Sequence, residues 1–162
     1  LSQASVFHGP DAEDLERVLA ARADAMPVGA PPVFLKVAPD LEPADIDSIC
    51  RIALEKKLAA LIVSNTTITR PAGTEACSPG RGGLSGAPLL ERSLQVVRFL
   101  AKEADGRIPI VGCGGILSAK DAGRFMDEGA CLVQVYSGLV FRGPELAREV
   151  AEGLAWRQRA WA

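Results

Sequence analysis

The segment 108–138 constrains the fold most, because it holds two short apolar runs that each end in a turn of small residues. The first run, 108–111, leads into Gly-Cys-Gly-Gly at 112–115, and the second, 131–135, leads into Tyr-Ser-Gly at 136–138. A short apolar run followed by glycines is typical of a buried strand that ends in a turn. The segment therefore contains two predicted strands with small, donor-rich loops after them.

The residues between these two runs predict a helix with defined ends. Ser118 occupies an N-cap position, and Asp121, three residues later, can complete the cap. Gly129 is the residue type that best ends a helix in the left-handed conformation. The segment is therefore a β-α-β unit with both loops on the same side. Backbone N–H groups of such loops can approach an anion, and the loops after strands 7 and 8 of a (β/α)8 barrel commonly bind phosphate.

The rest of the chain repeats this pattern, after an irregular start at 1–9. Apolar periodicity and turn residues predict the following elements: helices over 11–26, 43–57, 88–104 and 144–159, and strands over 33–37 and 59–64, with a long loop at 65–87. The order is a helix followed by four β-α units, with no strand before the first helix. Short, continuously apolar strands that alternate with helices indicate a parallel sheet covered by helices.

Two architectures fit four strands of this kind. One is an open four-stranded α/β sheet, and the other is the C-terminal half of a (β/α)8 barrel, which closes with eight strands. The unpaired first helix, and the polar residues at the carboxyl ends of all four strands, favour the half-barrel. We therefore expect residues 1–162 to form a single domain of the TIM-barrel class, with four βα units and a leading helix.

Composition limits the function classes. The net charge is −2, and no basic stripe with interleaved aromatic residues is present, so nucleic-acid binding is not expected. No apolar run approaches the roughly 20 residues that span a bilayer. The chain begins with neither Met nor a signal peptide, and we expect it to start within a longer protein.

The cysteine and histidine residues do not suggest a metal site. The four cysteines form no C-x-x-C pair, and His8 is the only histidine. Cys50, Cys113 and Cys131 lie at apolar or glycine-flanked positions and are expected to be buried. Cys77 lies in the long loop and is expected to be exposed. A reducing compartment is the simplest setting for four free thiols.

Polar residues at the ends of the predicted strands are the candidate ligand groups. Lys36 interrupts an apolar strand, and burying its charge there is costly unless the ammonium meets an anion. The alternative is that the strand lies at the sheet edge and Lys36 faces solvent. Ser64-Asn65-Thr66-Thr67 directly follows the next strand and suits a planar, hydrogen-bonding ligand, although such residues also form ordinary turns. Arg70 follows and is expected to order the long loop. The glycine cluster 82–86 could contact a ligand or merely be flexible.

Five ordered motifs carry a resemblance to a known family. They are LKVAPD at 35–40, IVSNTT at 62–67, GGLSG at 82–86, GCGGI at 112–116 and LVQVYSG at 132–138. Together they resemble dihydroorotate dehydrogenase, and the residues Arg70-Pro71 and Phe141-Arg142-Gly143-Pro144 resemble its quinone-dependent class 2.

The resemblance implies an FMN-dependent barrel enzyme of pyrimidine biosynthesis that oxidises dihydroorotate to orotate and reduces ubiquinone. It implies FMN contacts from six positions and orotate contacts from two: Lys36, Ser64, Gly86, Gly115, Tyr136 and Ser137 for FMN, and Asn65 and Thr66 for orotate. Quinone and membrane contacts belong to an N-terminal region of the family, so the parent enzyme is expected to be peripheral on the inner membrane, either bacterial (cytoplasmic side) or mitochondrial, and the fragment itself soluble.

The sequence departs from the family in one respect that bears on activity. Class 2 enzymes carry their serine general base in a stretch like Ser-Pro-Asn-Thr-Pro-Gly, which this sequence does not contain. No catalytic residue is therefore assigned, and the isolated chain is expected to be inactive. Two alternatives remain: a non-catalytic phosphate- or flavin-binding half-barrel that needs a complementary chain, or another FMN-dependent barrel oxidoreductase.

Overall fold

The structure, a computed structural model, describes residues 6–7, 12–25, 31–74 and 82–160. Within these ranges the chain forms five β-strands, six α-helices and one 3-10 turn, Ala87–Leu89. The strands are β1 (Val6–Phe7), β2 (Phe34–Val37), β3 (Ala60–Val63), β4 (Ile110–Cys113) and β5 (Leu132–Gln134). The helices are α1 (Ala12–Ala25), α2 (Pro43–Glu55), α3 (Leu90–Ala104), α4 (Ala119–Asp127), α5 (Ser137–Arg142) and α6 (Glu145–Ala160).

The strands form one parallel sheet in sequential order, from β1 at one edge to β5 at the other. A doubly wound sheet reverses its strand order and carries helices on both faces, whereas a barrel wall adds each strand beside the last. The observed order is that of a barrel wall. The predicted α/β fold of the TIM-barrel class is confirmed.

The helices cover one face of this sheet. Leu35, Val37, Leu61, Val63 and Ile110 point to that face and form one hydrophobic cluster with side chains of α1, α2, α3, α4 and α6. Removal of this apolar surface from water is the main stabilising contribution to the fold.

The other face of the sheet is not covered by helices within the described residues. Because side chains alternate along a strand, it carries Phe34, Lys36, Ile62, Val111 and Leu132, which the strand register brings side by side. Phe34 is 40% exposed and Leu132 is 61% exposed. A parallel sheet is normally buried on both faces, so this face has the character of the inside of a barrel.

Two local predictions are wrong. The first helix is preceded by a strand, because Val6–Phe7 pairs with Lys36 and Val37 of β2. Two residues are too few to give the alternation that identifies a strand in sequence. The structure also contains α5, Ser137–Arg142, directly after β5, where only the loop before α6 was predicted. A helix of this length carries too little periodicity to be recognised.

The ends of α4 are confirmed. The Ser118 hydroxyl accepts a hydrogen bond from the Asp121 N–H at 3.2 Å and donates one to the Asp121 carboxylate at 2.8 Å. Gly129 follows the helix with a φ of +102°, a conformation that glycine adopts without a Cβ penalty. The cap and the terminal glycine therefore fix where α4 begins and ends, and with it the start of β5.

The cysteine predictions have mixed outcomes. Cys50 and Cys113 are buried as predicted, whereas Cys131 is exposed, so that prediction is wrong. Cys131 precedes β5, an edge strand with no neighbour on its outer side among the described residues, which is why an apolar run there does not guarantee burial. Cys77 and His8 lie outside the described residues.

Gly112 of β4 provides a test of how tightly the sheet packs on its helices. A Cβ added there would lie 2.4 Å from the Phe125 ring of α4, so Gly112→Ala must displace the ring. We expect the free energy of unfolding, measured by urea denaturation, to fall by about 1–3 kcal/mol.

The double variant tests the cause of that loss. Phe125→Leu removes ring atoms from the contact, so Gly112→Ala should cost less in that background than in the wild type. Equal losses in both backgrounds would show that the ring does not limit the packing.

Candidate functional site

The predicted ligand-binding residues lie along the carboxyl edge of the sheet. Parallel strands place these ends together, and backbone hydrogen bonds continue the alignment beyond them. The Asn65 N–H donates to the Val37 carbonyl at 2.9 Å, and the Ser64 N–H donates to the Cys113 carbonyl at 2.7 Å. The loops after β2, β3 and β4 therefore begin side by side, which is the arrangement on which the sequence-based site depends.

Four of the predicted cofactor-binding residues line a single cleft between the loops after β4 and β5. They are Gly86, Gly115, Tyr136 and Ser137. The other lining residues are Cys113, Gly114, Ile116, Gln134, Val135 and Gly138. Four of the ten lining residues are glycines, so backbone atoms form part of the cleft wall. The first N–H groups of α5 have no partner within the helix and open next to it. The cleft therefore suits a small anionic group.

The close approach of α3 explains the glycines of the β4 loop. A Cβ added at Gly115 would lie 2.6 Å from the Leu90 backbone, and one added at Gly114 would lie 2.5 Å from the Ser93 Oγ. Their φ angles, +81° and +114°, are also ones that other residues rarely adopt. Both space and conformation therefore require glycine where the loop meets the first turns of α3.

The loop before α3 reaches the same cleft. Gly86 has a φ of +83°, and the Ser85 Oγ lies 2.9 Å from the Ser137 Oγ. This hydroxyl pair joins the glycine cluster 82–86 to the loop after β5. The cluster is therefore part of the cleft wall, which distinguishes it from a merely flexible linker.

Lys36 lies on the sheet face that the helices leave uncovered. β2 pairs with β1 and β3, so the edge-strand interpretation of this lysine is wrong. The Lys36 ammonium is close enough to influence the Cys113 thiol. Burial raises the pKa of Cys113, and the positive charge of Lys36 lowers it in part. Among the described residues no hydrogen bond or ion pair to Lys36 is found. A half-buried cation of this kind is suited to an anionic or electron-rich ligand.

Asn65 and Thr66 are half-buried at the start of the loop after β3. A Cβ added at Gly83 would lie 1.9 Å from the Thr66 Oγ1, so the glycine cluster packs directly on this threonine. Thr67 and Leu84 then form an antiparallel bridge with N···O distances of 3.1 and 2.7 Å. The two ends of the long loop are thus held together beside the sheet.

Asp40 anchors the same loop from the end of β2. Its carboxylate accepts hydrogen bonds from the Thr67 hydroxyl, the Ile68 N–H at 2.9 Å and the Thr69 hydroxyl at 2.9 Å. Burial is the largest single influence on the carboxyl and would raise its pKa, but these bonds together outweigh it and lower the pKa below 3.8. Sequence analysis missed this role, although a Pro-Asp pair after a strand is a recognisable signal.

Arg70 orders the loop as predicted. Its guanidinium donates to the carbonyls of Thr67, Ile68 and Thr69 at 3.1–3.3 Å and to the Gly82 carbonyl at 2.7 Å. Five N–H donors in a rigid plane allow one side chain to hold two backbone segments at once. Arg70 is therefore a structural residue of the loop.

The Ser64 side chain is buried within the protein, which differs from the exposed position expected of a simple ligand contact. Its side chain is 2% exposed, and its hydroxyl lies 2.8 Å from the Ser93 Oγ and donates to the Asn65 carbonyl at 3.0 Å. The Ser64 hydroxyl is therefore engaged in hydrogen bonds within the protein. Ser93 was missed because a serine within the helix 88–104 gives no sign of its partner.

The comparisons with known proteins agree with this arrangement. The family model described as dihydroorotate dehydrogenase matches residues 9–157. The chain belongs to the dihydroorotate dehydrogenase family.

Two curated relatives share the name dihydroorotate dehydrogenase (quinone). The protein from Novosphingobium aromaticivorans is 54% identical over 145 residues, covering 90% of this chain and 40% of the relative. The protein from Sphingopyxis alaskensis is 53% identical over 141 residues, covering 86% of this chain and 40% of the relative. The resemblance to the quinone-dependent class is thus confirmed, and the chain spans 40% of the length of these relatives.

A solved structure shows the same fold. The crystal structure of ligand-free DHODH from Eimeria tenella superposes with a TM-score of 0.80 at 32% identity, and the match covers 90% of this chain and 45% of that one. The sheet and helices described above are therefore part of the barrel of a dihydroorotate dehydrogenase.

The anchoring role of Asp40 predicts a pH-dependent loop. Because the pKa of folded Asp40 is lowered, its stabilising effect is complete above a pH of about 4 and is lost as the pH falls through the lowered pKa. Asp40→Asn replaces one acceptor oxygen with a donor. We expect amide hydrogen exchange at 67–70 to be about tenfold faster in this variant at neutral pH.

The matched control is Asp47→Asn, which changes an exposed carboxylate on α2. Its exchange at 67–70 should equal that of the wild type. Equal exchange in the Asp40 and Asp47 variants would contradict the anchoring role.

Proposed function

We propose that residues 1–162 form a single domain, the C-terminal half of the FMN-binding (β/α)8 barrel of a quinone-dependent dihydroorotate dehydrogenase. The parent enzyme oxidises dihydroorotate to orotate in pyrimidine biosynthesis and passes the electrons to ubiquinone. The proposal rests mainly on one observation: the glycine-lined cleft, Lys36 and the Asn65-Thr66 pair lie along the same edge of the sheet. The names of the relatives support the reaction.

The glycine-walled cleft fits the phosphate of FMN. Backbone N–H groups of Gly115, Tyr136 and Ser137 would hold the phosphate, and Gly86 would close the cleft from the side of α3. Lys36 and Ser64 would contact the flavin ring. When bound, FMN supplies the acceptor for the hydride equivalent that dihydroorotate loses.

Lys36 would stabilise the negative charge that develops on the isoalloxazine ring as it is reduced. The ammonium has no competing ion pair within the described residues and lies on a face of low polarity, where a charge interaction is strong. Lys36 would therefore affect the rate of flavin reduction more than it affects the affinity for the substrate.

Asn65 and Thr66 would bind the pyrimidine. An asparagine side chain offers both a donor and an acceptor in one plane, which matches the alternating N–H and C=O groups of orotate. Asp40, Arg70 and the Thr67–Leu84 bridge hold the loop that presents this pair. Such anchoring keeps the two side chains in position before the substrate arrives.

The general base and the quinone site are proposed to lie in the parent enzyme outside residues 1–162. None of the serines in the described residues matches the family's base motif, so the isolated chain should not turn over dihydroorotate. Membrane contact is assigned to the parent's N-terminal region, which would make the enzyme peripheral on the inner membrane. Within the described ranges, no helix has the length and apolarity needed to cross a bilayer.

The uncovered face of the sheet favours a second candidate for the chain by itself. Exposed Phe34 and Leu132 indicate that a complementary segment has to cover this face. In this second case the chain is a non-catalytic phosphate- or flavin-binding half-barrel that needs a complementary chain.

Binding of riboflavin compared with FMN tests the phosphate cleft. The two ligands differ only in the phosphate, so a cleft built for that group should make FMN bind at least about 100-fold more tightly to the full-length protein. Quenching of flavin fluorescence measures both affinities. Equal affinities would remove the cleft from the proposal, and no binding of either flavin would overturn the proposed function.

Substitution of Lys36 tests the flavin-ring contact. We expect Lys36→Ala in the full-length enzyme to slow flavin reduction by dihydroorotate by about 100-fold, measured by stopped-flow absorbance. Lys102→Ala, which changes an exposed lysine of α3, is the matched control and should leave the rate unchanged. An unchanged rate in the Lys36 variant would mean that this lysine is only structural.

A further inference from the structure

A pair of buried serine hydroxyls connects α3 to the loop that carries the proposed pyrimidine-binding residues. The Ser93 side chain is 0% exposed, the Ser64 side chain is 2% exposed, and their Oγ atoms are 2.8 Å apart. Ser93 lies on the apolar side of α3, where Leu94 and Val97 are also buried. An alanine would fit such a position without a desolvation cost, so the hydrogen bond accounts for the serine.

The direction of the hydrogen bonds follows from counting protons. A serine hydroxyl has one proton to donate. Ser64 gives its proton to the Asn65 carbonyl at 3.0 Å, so Ser93 has to donate to Ser64. The result is a relay from Ser93 through Ser64 to the backbone of Asn65.

Ser93 also contacts the neighbouring loop. A Cβ added at Gly114 would lie 2.5 Å from the Ser93 Oγ, so this hydroxyl lies directly beneath the turn that follows β4. One side chain on α3 thus supports two loops: the one that begins with Asn65 and the one that forms the anion cleft. Both loops therefore lie against the same helix.

We propose that Ser93 is a positioning residue, which sets the orientation of Asn65 through the hydroxyl of Ser64 and thereby tunes affinity for the planar pyrimidine ligand. The inference rests on the proposed function, because that function makes Asn65 a ligand residue. Ser93 touches neither substrate nor flavin. The hydroxyl of Ser64 serves the relay.

The test compares three variants of the full-length protein with FMN bound: Ser64→Ala, Ser93→Ala and the double variant. Orotate affinity is measured from the change that orotate causes in the flavin absorption spectrum. Each single variant should weaken orotate binding about fivefold to tenfold, and the double variant should be no weaker than either single one, because all three break the same relay. Loss in Ser64→Ala without loss in Ser93→Ala would make Ser64 a direct ligand and overturn the inference.

Two further variants separate hydrogen bonding from packing and from general effects. Ser93→Cys keeps a similar volume but is a weak donor, so it should behave like Ser93→Ala; full recovery of orotate affinity would mean that Ser93 acts by packing alone. Ser48→Ala removes a hydroxyl that donates to the Ala44 carbonyl within α2, away from the site, and should leave affinity unchanged.

Amide hydrogen exchange gives a readout that needs no ligand. Ser93→Ala should speed exchange in the segment 65–67 by about tenfold relative to the wild type and to Ser48→Ala. Unchanged exchange overturns the relay. If the wild-type protein binds neither FMN nor orotate, the proposed function fails, whereas the exchange measurement still decides whether the relay exists.

Discussion

The contact between the turn after β4 and the first turns of α3 is the constraint on which the candidate site depends. At Gly115 and Gly114 the approach leaves no room for a Cβ beside Leu90 and Ser93. The turn therefore opens its backbone to the cleft, and its position is fixed by a helix that is itself part of the hydrophobic core. The same helix reaches the next loop through Ser93 and Ser64. One well-packed helix thus sets the geometry of the two loops that carry the candidate site, in the way that a rigid scaffold positions loops for binding.

Within the described residues the helices cover only one face of the sheet, and this links the fold to the proposed function. Helices bury the face of Leu35, Val37, Leu61 and Val63, whereas the face of Lys36 lies open beside the candidate site. In a closed barrel the second face is filled by side chains from the other strands. The chain matches 40% of the length of its curated relatives, and the ligand groups proposed here are those that the matched part of the barrel contributes.

Much of the fold could be predicted from the sequence, because each longer element carries its own local signal. The helix from Ser118 to Gly129 has a cap, an amphipathic pattern and a terminal glycine, so both ends were predicted. The strand Val6–Phe7 was missed because two residues carry no period, and the exposure of Cys131 depends on its place at the sheet edge. For the candidate site, the strand-end residues were predicted from their position alone. The roles of Asp40 and Ser93 were missed because they depend on partners 28 and 29 residues away in the chain.

A crystal structure of the full-length protein with FMN and orotate is the most direct test of this account. The account predicts density for the flavin phosphate within hydrogen-bonding distance of the backbone N–H groups of Gly115 and Ser137, with the ring beside Lys36 and orotate against Asn65. A flavin bound at any other edge of the barrel, with this cleft empty, would contradict it.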